Sequence, residues 1–179
     1  MGNTMKKKKM QILAPAGGRQ QLIAAVRSGA DAVYLGAGAF NARQNAENFG
    51  DGGLREAVAY CHGRGVKVHV TVNTLVTDGE LPALMEEIRR IGEAGPDAVI
   101  VQDLAVAALF RRHLPTMPLH ASTQMTIHNL SGAKALMDLG FRRVVLAREL
   151  TLREIKTIAR GVPLEVETFV HGALCMSLS

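Results

Sequence analysis

The segment Ala98-Val-Ile-Val-Gln-Asp103 indicates the fold class more clearly than any other part of this 179-residue chain. Four apolar residues in a row are typical of a parallel strand that is covered on both faces. A polar pair follows them directly, and the amphipathic pattern of residues 104–113 then predicts a helix. A strand, a polar turn and a helix in this order form one βα unit.

The same unit recurs along the chain from Gln11 onward. Strands are predicted at residues 11–14, 32–35, 67–72, 98–101, 119–121, 143–146 and 164–169, and helices at 19–28, 54–63, 80–93, 104–113, 130–139 and 151–159. Left-handed glycines are expected to follow four of these helices, at Gly29, Gly63, Gly95 and Gly140. Asp78 or Asp103 is expected to cap the start of the next helix. Seven strands and six helices fit either an open doubly wound sheet or most of an eightfold barrel.

The positions of the polar residues favour the barrel. They follow the carboxyl ends of many different strands, whereas an open sheet would concentrate such residues at one switch point. We therefore predict an incomplete TIM-like (β/α) barrel of about seven parallel strands and six helices. A barrel of this type takes about 250 residues, so we expect a domain over residues 11–179 that is truncated at its C-terminal end, after a basic flexible arm over residues 1–10.

Composition and charge exclude a membrane-spanning chain and a disulfide framework. No apolar run approaches the roughly 18 residues of a spanning helix, and the stretch after the run Lys6 to Lys9 is too short for a signal peptide, so we expect a cytoplasmic protein. The net charge of +5 permits an anionic partner such as RNA. Four of the 21 basic residues belong to that lysine run, which is either a solvated arm or a nucleic-acid contact.

Arg148, Glu149 and His171 are the candidate catalytic residues. The guanidinium group of Arg148 suits a small anionic substrate that carries a carboxylate or phosphate, and the Glu149 carboxylate could hold this guanidinium group in place. A structural ion pair between these two residues near a helix start is an equally good interpretation. His171 lies four residues before Cys175 in the loop after the last strand, and the two give at most two ligands to a metal.

The candidate substrate-binding residues are Arg43, Asn73, Gln102, Asp103, His120, Ser122 and Gln124. His120, Ser122 and Gln124 alternate, so they would share one face if the strand continued. A Ser–His nucleophile pair is conceivable there, but the sequence offers neither an orienting acid nor a nucleophile elbow. Hydrogen bonds from these side chains to a ligand, or to one another, are favoured instead. Capping is the alternative for the amides and Asp103, and a plain connecting loop is the alternative for Arg43.

Several segments together resemble the collagenase-like peptidase family of unassigned catalytic type, numbered thirty-two. They are residues 13–17, 29–34, 72–74, 101–103, 120–124 and 146–150 and the stretch Phe169-Val-His-Gly-Ala-Leu-Cys175. The resemblance implies a barrel-like catalytic domain and, for several members, oxygen-independent hydroxylation of RNA bases or of ubiquinone precursors. It also implies a four-iron four-sulfur cluster on four cysteines, with prephenate as hydroxyl donor for the members that act on RNA. Cys175 matches the first cluster cysteine, and the other three would lie beyond Ser179.

Three functions therefore compete. The first is an N-terminal fragment of an iron–sulfur RNA base hydroxylase, in which Arg148 or Arg43 binds an anionic group, and the segments 40–45 and 98–103 resemble the branch that hydroxylates a cytidine of large-subunit ribosomal RNA. The second is an endopeptidase, in which His171 acts with Cys175 or Ser122. The third is a non-catalytic binding module. Independently of function, open sheet edges predict self-association.

Overall fold

The structure, a computed structural model, describes residues 10–42, 49 and 52–172. Its regular elements are β1 (Leu13–Pro15), α1 (Arg19–Arg27), β2 (Ala32–Gly36), α2 (Gly53–His62), β3 (Lys67–Val72), α3 (Leu81–Ala94), β4 (Ala98–Val101), α4 (Leu104–His113), β5 (Leu119–Ala121), α5 (Leu130–Asp138), β6 (Arg143–Val145), α6 (Leu152–Gly161) and β7 (Glu165–Glu167). The predicted order of strands and helices is confirmed, with bounds that differ by at most two residues. Within the described residues, no helix is both long and apolar enough to cross a membrane.

The seven strands form one parallel sheet in which each strand pairs with the next along the chain. The strand order β1 to β7 therefore has no reversal of the kind that creates a switch point in a doubly wound sheet. This order confirms the predicted TIM-like barrel, and the barrel is incomplete because β1 and β7 are the two edges of the described sheet.

The two faces of the sheet have different chemistry. Alternate strand residues such as Val33, Leu35 and Val70 are buried in one hydrophobic cluster with helix residues such as Leu84 and Phe110. Their neighbours in sequence point to the opposite face, because successive side chains alternate along a strand. This inner face carries polar residues: Tyr34, His69, Thr71, His120, Arg143, Glu165 and Glu167. The helices thus cover an apolar outer face, while the barrel interior combines these polar side chains with apolar ones such as Ile100 and Val145.

Two of the predicted helix ends are wrong in detail. Gly63 ends α2 with a right-handed φ of −62°, and the left-handed residue after this helix is Gly65, with φ of 71°. Asp78 does not cap α3, because it opens a short 3-10 turn that Thr77 and Glu80 cap reciprocally. The other three glycines of the prediction do adopt left-handed φ values: Gly29, Gly95 and Gly140.

Candidate functional site

The predicted polar residues lie at the carboxyl edge of the sheet. This edge, with the loops that follow β2 to β7, is called the rim. Parallel strands end at the same edge, so the loops after neighbouring strands lie side by side. The candidates at the rim are Asn73 after β3, Gln102 and Asp103 after β4, Ser122 and Gln124 after β5, Arg148 and Glu149 after β6, and His171 after β7. Arg43 and Cys175 lie outside the described residues.

A hydrogen-bonded network of Asn73, Ser122 and Gln124 joins two strand ends across the rim. Asn73 Nδ2 donates to Gln124 Oε1 at 2.8 Å and lies 3.5 Å from Ser122 Oγ. The Ser122 hydroxyl is 3.3 Å from Gln124 Oε1, and its oxygen accepts from the backbone N–H of Gln124 at 3.3 Å. β5 ends at Ala121, as predicted, and Gln124 lies in the 3-10 turn Thr123–Met125, so His120, Ser122 and Gln124 do not share one strand face.

Asn73 also fixes the loop that follows β2. Its Oδ1 accepts from the backbone N–H of Ala42 at 3.1 Å. The same loop contains Asn41, which is 1% exposed, and Gly38, which lies close to α3. A Cβ atom on Gly38 would lie 2.8 Å from Oε1 of the buried Glu87. Asn73 therefore connects the loop after β2 to the network after β5.

Asp103 has a structural role that the sequence left open. Its Oδ1 accepts from the backbone N–H groups of Ala105, at 2.7 Å, and Val106, which caps the start of α4. Its Oδ2 accepts from the backbone N–H of Val76, at 3.2 Å, in the loop after β3. The capping interpretation is confirmed for Asp103. The neighbouring Gln102 is half-buried and makes no side-chain hydrogen bond within the described part of the chain.

Arg148 lies against an aromatic ring at the other side of the rim. Its guanidinium carbon is 4.1 Å from the ring centroid of Phe169, which is 37% exposed. A cation that stacks on an aromatic ring is an arrangement that suits contact with a nucleobase or a phosphate. The ion pair between Arg148 and Glu149 stays a prediction, as does the role of the exposed His171.

His120 lies in the barrel interior, below the rim. It is 4% exposed and packs edge-to-face against His69 of β3, which is 2% exposed, with 4.7 Å between the ring centroids. Among the described residues, Nδ1 of each ring has no hydrogen-bond partner. Burial and the nearby Arg143 lower the pKa of His69 to about 4, while burial and His69 lower the pKa of His120 to about 2. Both imidazoles are therefore neutral near pH 7.

A partly buried ion-pair group next to these histidines was missed from the sequence. Arg143, whose side chain is 12% exposed, places Nη2 2.7 Å from Glu165 Oε2 and Nη1 3.0 Å from Glu167 Oε2. Burial raises the pKa of Glu167 above its usual range despite the guanidinium. The available signal was alternation: charged residues occupy every second position of β7, and one opens β6, so all three point to the same face.

The rim does not form a serine nucleophile of the usual kind. The Ser122 hydroxyl is engaged with Gln124 and Asn73, and none of the hydrogen bonds among the described residues joins a serine hydroxyl to an imidazole. His120, with a pKa of about 2, is too weak a base to take a proton from an alcohol near neutral pH. The geometry therefore suits hydrogen bonding to a ligand better than covalent catalysis by Ser122.

The described residues do not supply the ligands of a metal cluster. They contain no group of three or more His, Cys, Asp or Glu side chains that could hold a metal ion. Cys61 is buried between α2 and the sheet, and burial raises the pKa of its thiol to about 11, which disfavours the thiolate that binds iron. The sequence contains two cysteines, so a four-cysteine set needs Cys175 and cysteines from outside this sequence.

Comparison with known proteins identifies the family to which this chain belongs. The model of the family described as peptidase family U32 matches residues 17–179. A 23S rRNA 5-hydroxycytidine synthase of Escherichia coli (strain K12) is 41% identical over 178 residues, which are 98% of this chain and 26% of that protein. The tRNA hydroxylation protein P of the same organism is 38% identical over 172 residues, which are 96% of this chain and 38% of that protein. This chain thus spans well under half the length of either relative.

A solved structure of a U32 peptidase has the same fold. It superposes with a TM-score of 0.74 over 94% of this chain and 72% of that chain, at 14% sequence identity. At this identity the likeness concerns the fold alone, and it confirms the TIM-like architecture.

Proposed function

Because this chain belongs to peptidase family U32, we propose that it is part of an RNA base hydroxylase that modifies ribosomal or transfer RNA. The observation that carries this choice within the family is the engaged Ser122 hydroxyl, which leaves the rim suited to hydrogen bonding rather than to peptide cleavage. The relatives named for 5-hydroxycytidine synthesis and tRNA hydroxylation support it, since they match nearly the whole chain. Action on RNA also supports a cytoplasmic location.

The rim offers the groups that an RNA substrate needs. The amides of Gln102 and Gln124 can form hydrogen bonds with the edge of an unstacked base, and Asn73 holds Gln124 in place. Arg148 and Phe169 offer a cation and a partly exposed ring for a phosphate or a second base. A net charge of +5 attracts a polyanion, and Arg43 in the loop after β2 is a further candidate phosphate contact.

The cofactor is a further part of the proposal. In line with the family resemblance, Cys175 would provide one thiolate of a four-iron four-sulfur cluster, and prephenate would provide the hydroxyl group. Iron and sulfide analysis after anaerobic reconstitution of the longest natural product of the gene tests this part. We expect Cys175→Ser to lower the bound iron and Cys61→Ser to leave it unchanged, because the Cys61 thiol is buried and protonated.

Nucleoside mass spectrometry tests the proposed activity itself. Deletion of the gene should remove one hydroxylated pyrimidine from ribosomal or transfer RNA, and the wild-type gene should restore it. We expect a gene with Arg148→Ala to restore it poorly, because the substitution removes the cation that contacts the RNA. An unchanged set of modified nucleosides, together with cleavage of a collagen-derived peptide by the purified protein, would instead support the endopeptidase. If neither hydroxylation nor peptide cleavage is detected, the result would support a non-catalytic binding module.

A further inference from the structure

We infer that the side-chain amide of Gln124 binds a carbonyl oxygen of a pyrimidine base, and that Asn73 sets the direction of this amide. The inference rests on the proposed function, because it assumes that the rim binds RNA. It assigns one specific hydrogen bond of that site to one residue, and it assigns the orientation of that residue to another.

The orientation of both amides follows from the backbone N–H of Ala42. A backbone N–H can only donate, so the Asn73 atom 3.1 Å away must be the acceptor Oδ1. The other end of the Asn73 amide is then the donor Nδ2, and it faces Gln124 at 2.8 Å. The Gln124 atom that receives it must be Oε1, so Nε2 of Gln124 points away from Asn73.

Ser122 closes the network in the same sense. The oxygen of Ser122 accepts from the backbone N–H of Gln124, so its own proton is free to donate to Gln124 Oε1, 3.3 Å away. Oε1 of Gln124 is therefore satisfied twice from inside the protein. Its Nε2 has no hydrogen-bond partner among the described residues, and the side chain is exposed. Two N–H donors are thus held in a fixed direction at the rim.

The chemistry of these donors favours a neutral acceptor. They belong to an uncharged amide, which offers a hydrogen bond but no full charge to offset the desolvation of a carboxylate. A carbonyl oxygen accepts the same bond at a smaller desolvation cost. Cytosine has a single carbonyl group, at C2, and uracil shares it. A site built to form a hydrogen bond discriminates strongly against a ligand that lacks the partner atom.

Binding to matched RNA oligomers tests the inference. The probes are a single-stranded oligoadenylate with one central cytidine and the same strand with an abasic site at that position, and the measurement is the ratio of their dissociation constants. Gln124→Met removes the donors without a change of charge, and Gln124→Glu replaces them with an acceptor. Asn73→Asp retains the acceptor for Ala42 but places a second oxygen against Gln124, so the Gln124 amide should turn. Gln20→Glu, on the exposed surface of α1, is the matched charge control.

We expect the full chain to bind the cytidine strand more tightly than the abasic strand. This ratio should fall by about tenfold in the three rim variants, the size of one lost hydrogen bond, and should persist in Gln20→Glu. A ratio that is unchanged in the Gln124 variants overturns the inference and leaves the RNA proposal intact. Equal binding of both strands by the wild type also overturns it. If neither strand is bound, RNA binding by this chain fails, and the inference falls with it.

Discussion

At the scale of single residues, the two buried histidines should make the stability of the protein depend on pH. The pKa of each imidazole is lower in the folded state than the usual value of 6.5, at about 4 for His69 and about 2 for His120. Below pH 6.5 the unfolded chain therefore binds protons that the folded chain does not, and stability falls as the pH falls. The loss is about 1.4 kcal/mol per pH unit for each imidazole. Both contribute down to about pH 4, and only His120 contributes below it.

Urea unfolding at several pH values between 7 and about 4 measures this effect. His120→Asn removes one of the two groups, so the histidine contribution to the pH dependence of stability should fall by about half. His113→Asn, at the exposed end of α4, leaves both buried imidazoles in place and is the control for the loss of a histidine as such. Glu167 acts in the opposite direction, because its raised pKa stabilises the fold at low pH, and it is common to all three proteins. Equal slopes for the wild type and His120→Asn would contradict the prediction.

The sequence identified rim residues better than it identified their partners. Asn73, Ser122 and Gln124 were recognisable because polar residues directly follow strands, which places them at one edge of a parallel sheet. Their mutual hydrogen bonds join residues 49 and 51 positions apart, and such contacts depend on the register between β3 and β5. Local sequence does not encode that register. His69 was missed for a related reason, since its neighbour in the barrel is His120 and not a residue near it in sequence.

At the scale of elements, the end of α3 depends on one glycine. Gly95 adopts a left-handed φ of 67°, and a Cβ atom there would meet nothing within 4 Å. Gly95→Ala should therefore destabilise the protein by about 1 kcal/mol, through backbone strain alone. Gly63→Ala is the control, because Gly63 ends α2 with a right-handed backbone; its Cβ would lie 3.3 Å from the Ala59 carbonyl oxygen, a tight contact without backbone strain, and it should cost less. Thermal unfolding of the two variants makes the comparison, and equal losses would argue against the strain.

The cap of α4 separates structural from ligand-binding roles within one dipeptide. Asp103→Ala removes the acceptor of three backbone N–H groups and should destabilise the protein by about 1–2 kcal/mol. Gln102→Ala, one residue earlier, should change stability little, because its side chain makes no hydrogen bond among the described residues. Chemical denaturation of both variants decides the matter. A large loss for Gln102→Ala would show that this residue, too, supports the fold.

At the scale of the whole molecule, the barrel was predictable because every unit repeats the same local pattern. Apolar strands, polar strand ends and helical periodicity each point to the same architecture. The polar interior was not predictable in the same way. Alternation indicates that Arg143, Glu165 and Glu167 share one face, but the ion pairs between them depend on the register of β6 against β7. The strands and helices of the barrel can therefore be predicted from the sequence more readily than the contacts between the side chains in its interior.

The two edges of the sheet differ in their capacity to pair with another chain. Along β1, the residues on either side of Leu13 and Pro15 form hydrogen bonds with β2, so the backbone groups of Leu13 and Pro15 point to the sheet edge. Pro15 has no backbone N–H to donate there. Along β7, Glu165 and Glu167 bond to β6, so the backbone N–H and carbonyl groups of Val166 face the edge of the described sheet. The β7 edge is therefore better able than the β1 edge to pair with a strand of another chain.

We accordingly predict that this chain self-associates through β7. Multi-angle light scattering at high protein concentration should detect a dimer or a larger species. Val166→Pro removes the outward N–H and should shift the protein toward the monomer, whereas Val166→Ala loses side-chain packing but retains the N–H and should not. Circular dichroism checks that both variants remain folded. Because the two substitutions differ mainly in that backbone donor, equal association in both would exclude strand pairing at β7, and a wild-type monomer would exclude self-association altogether.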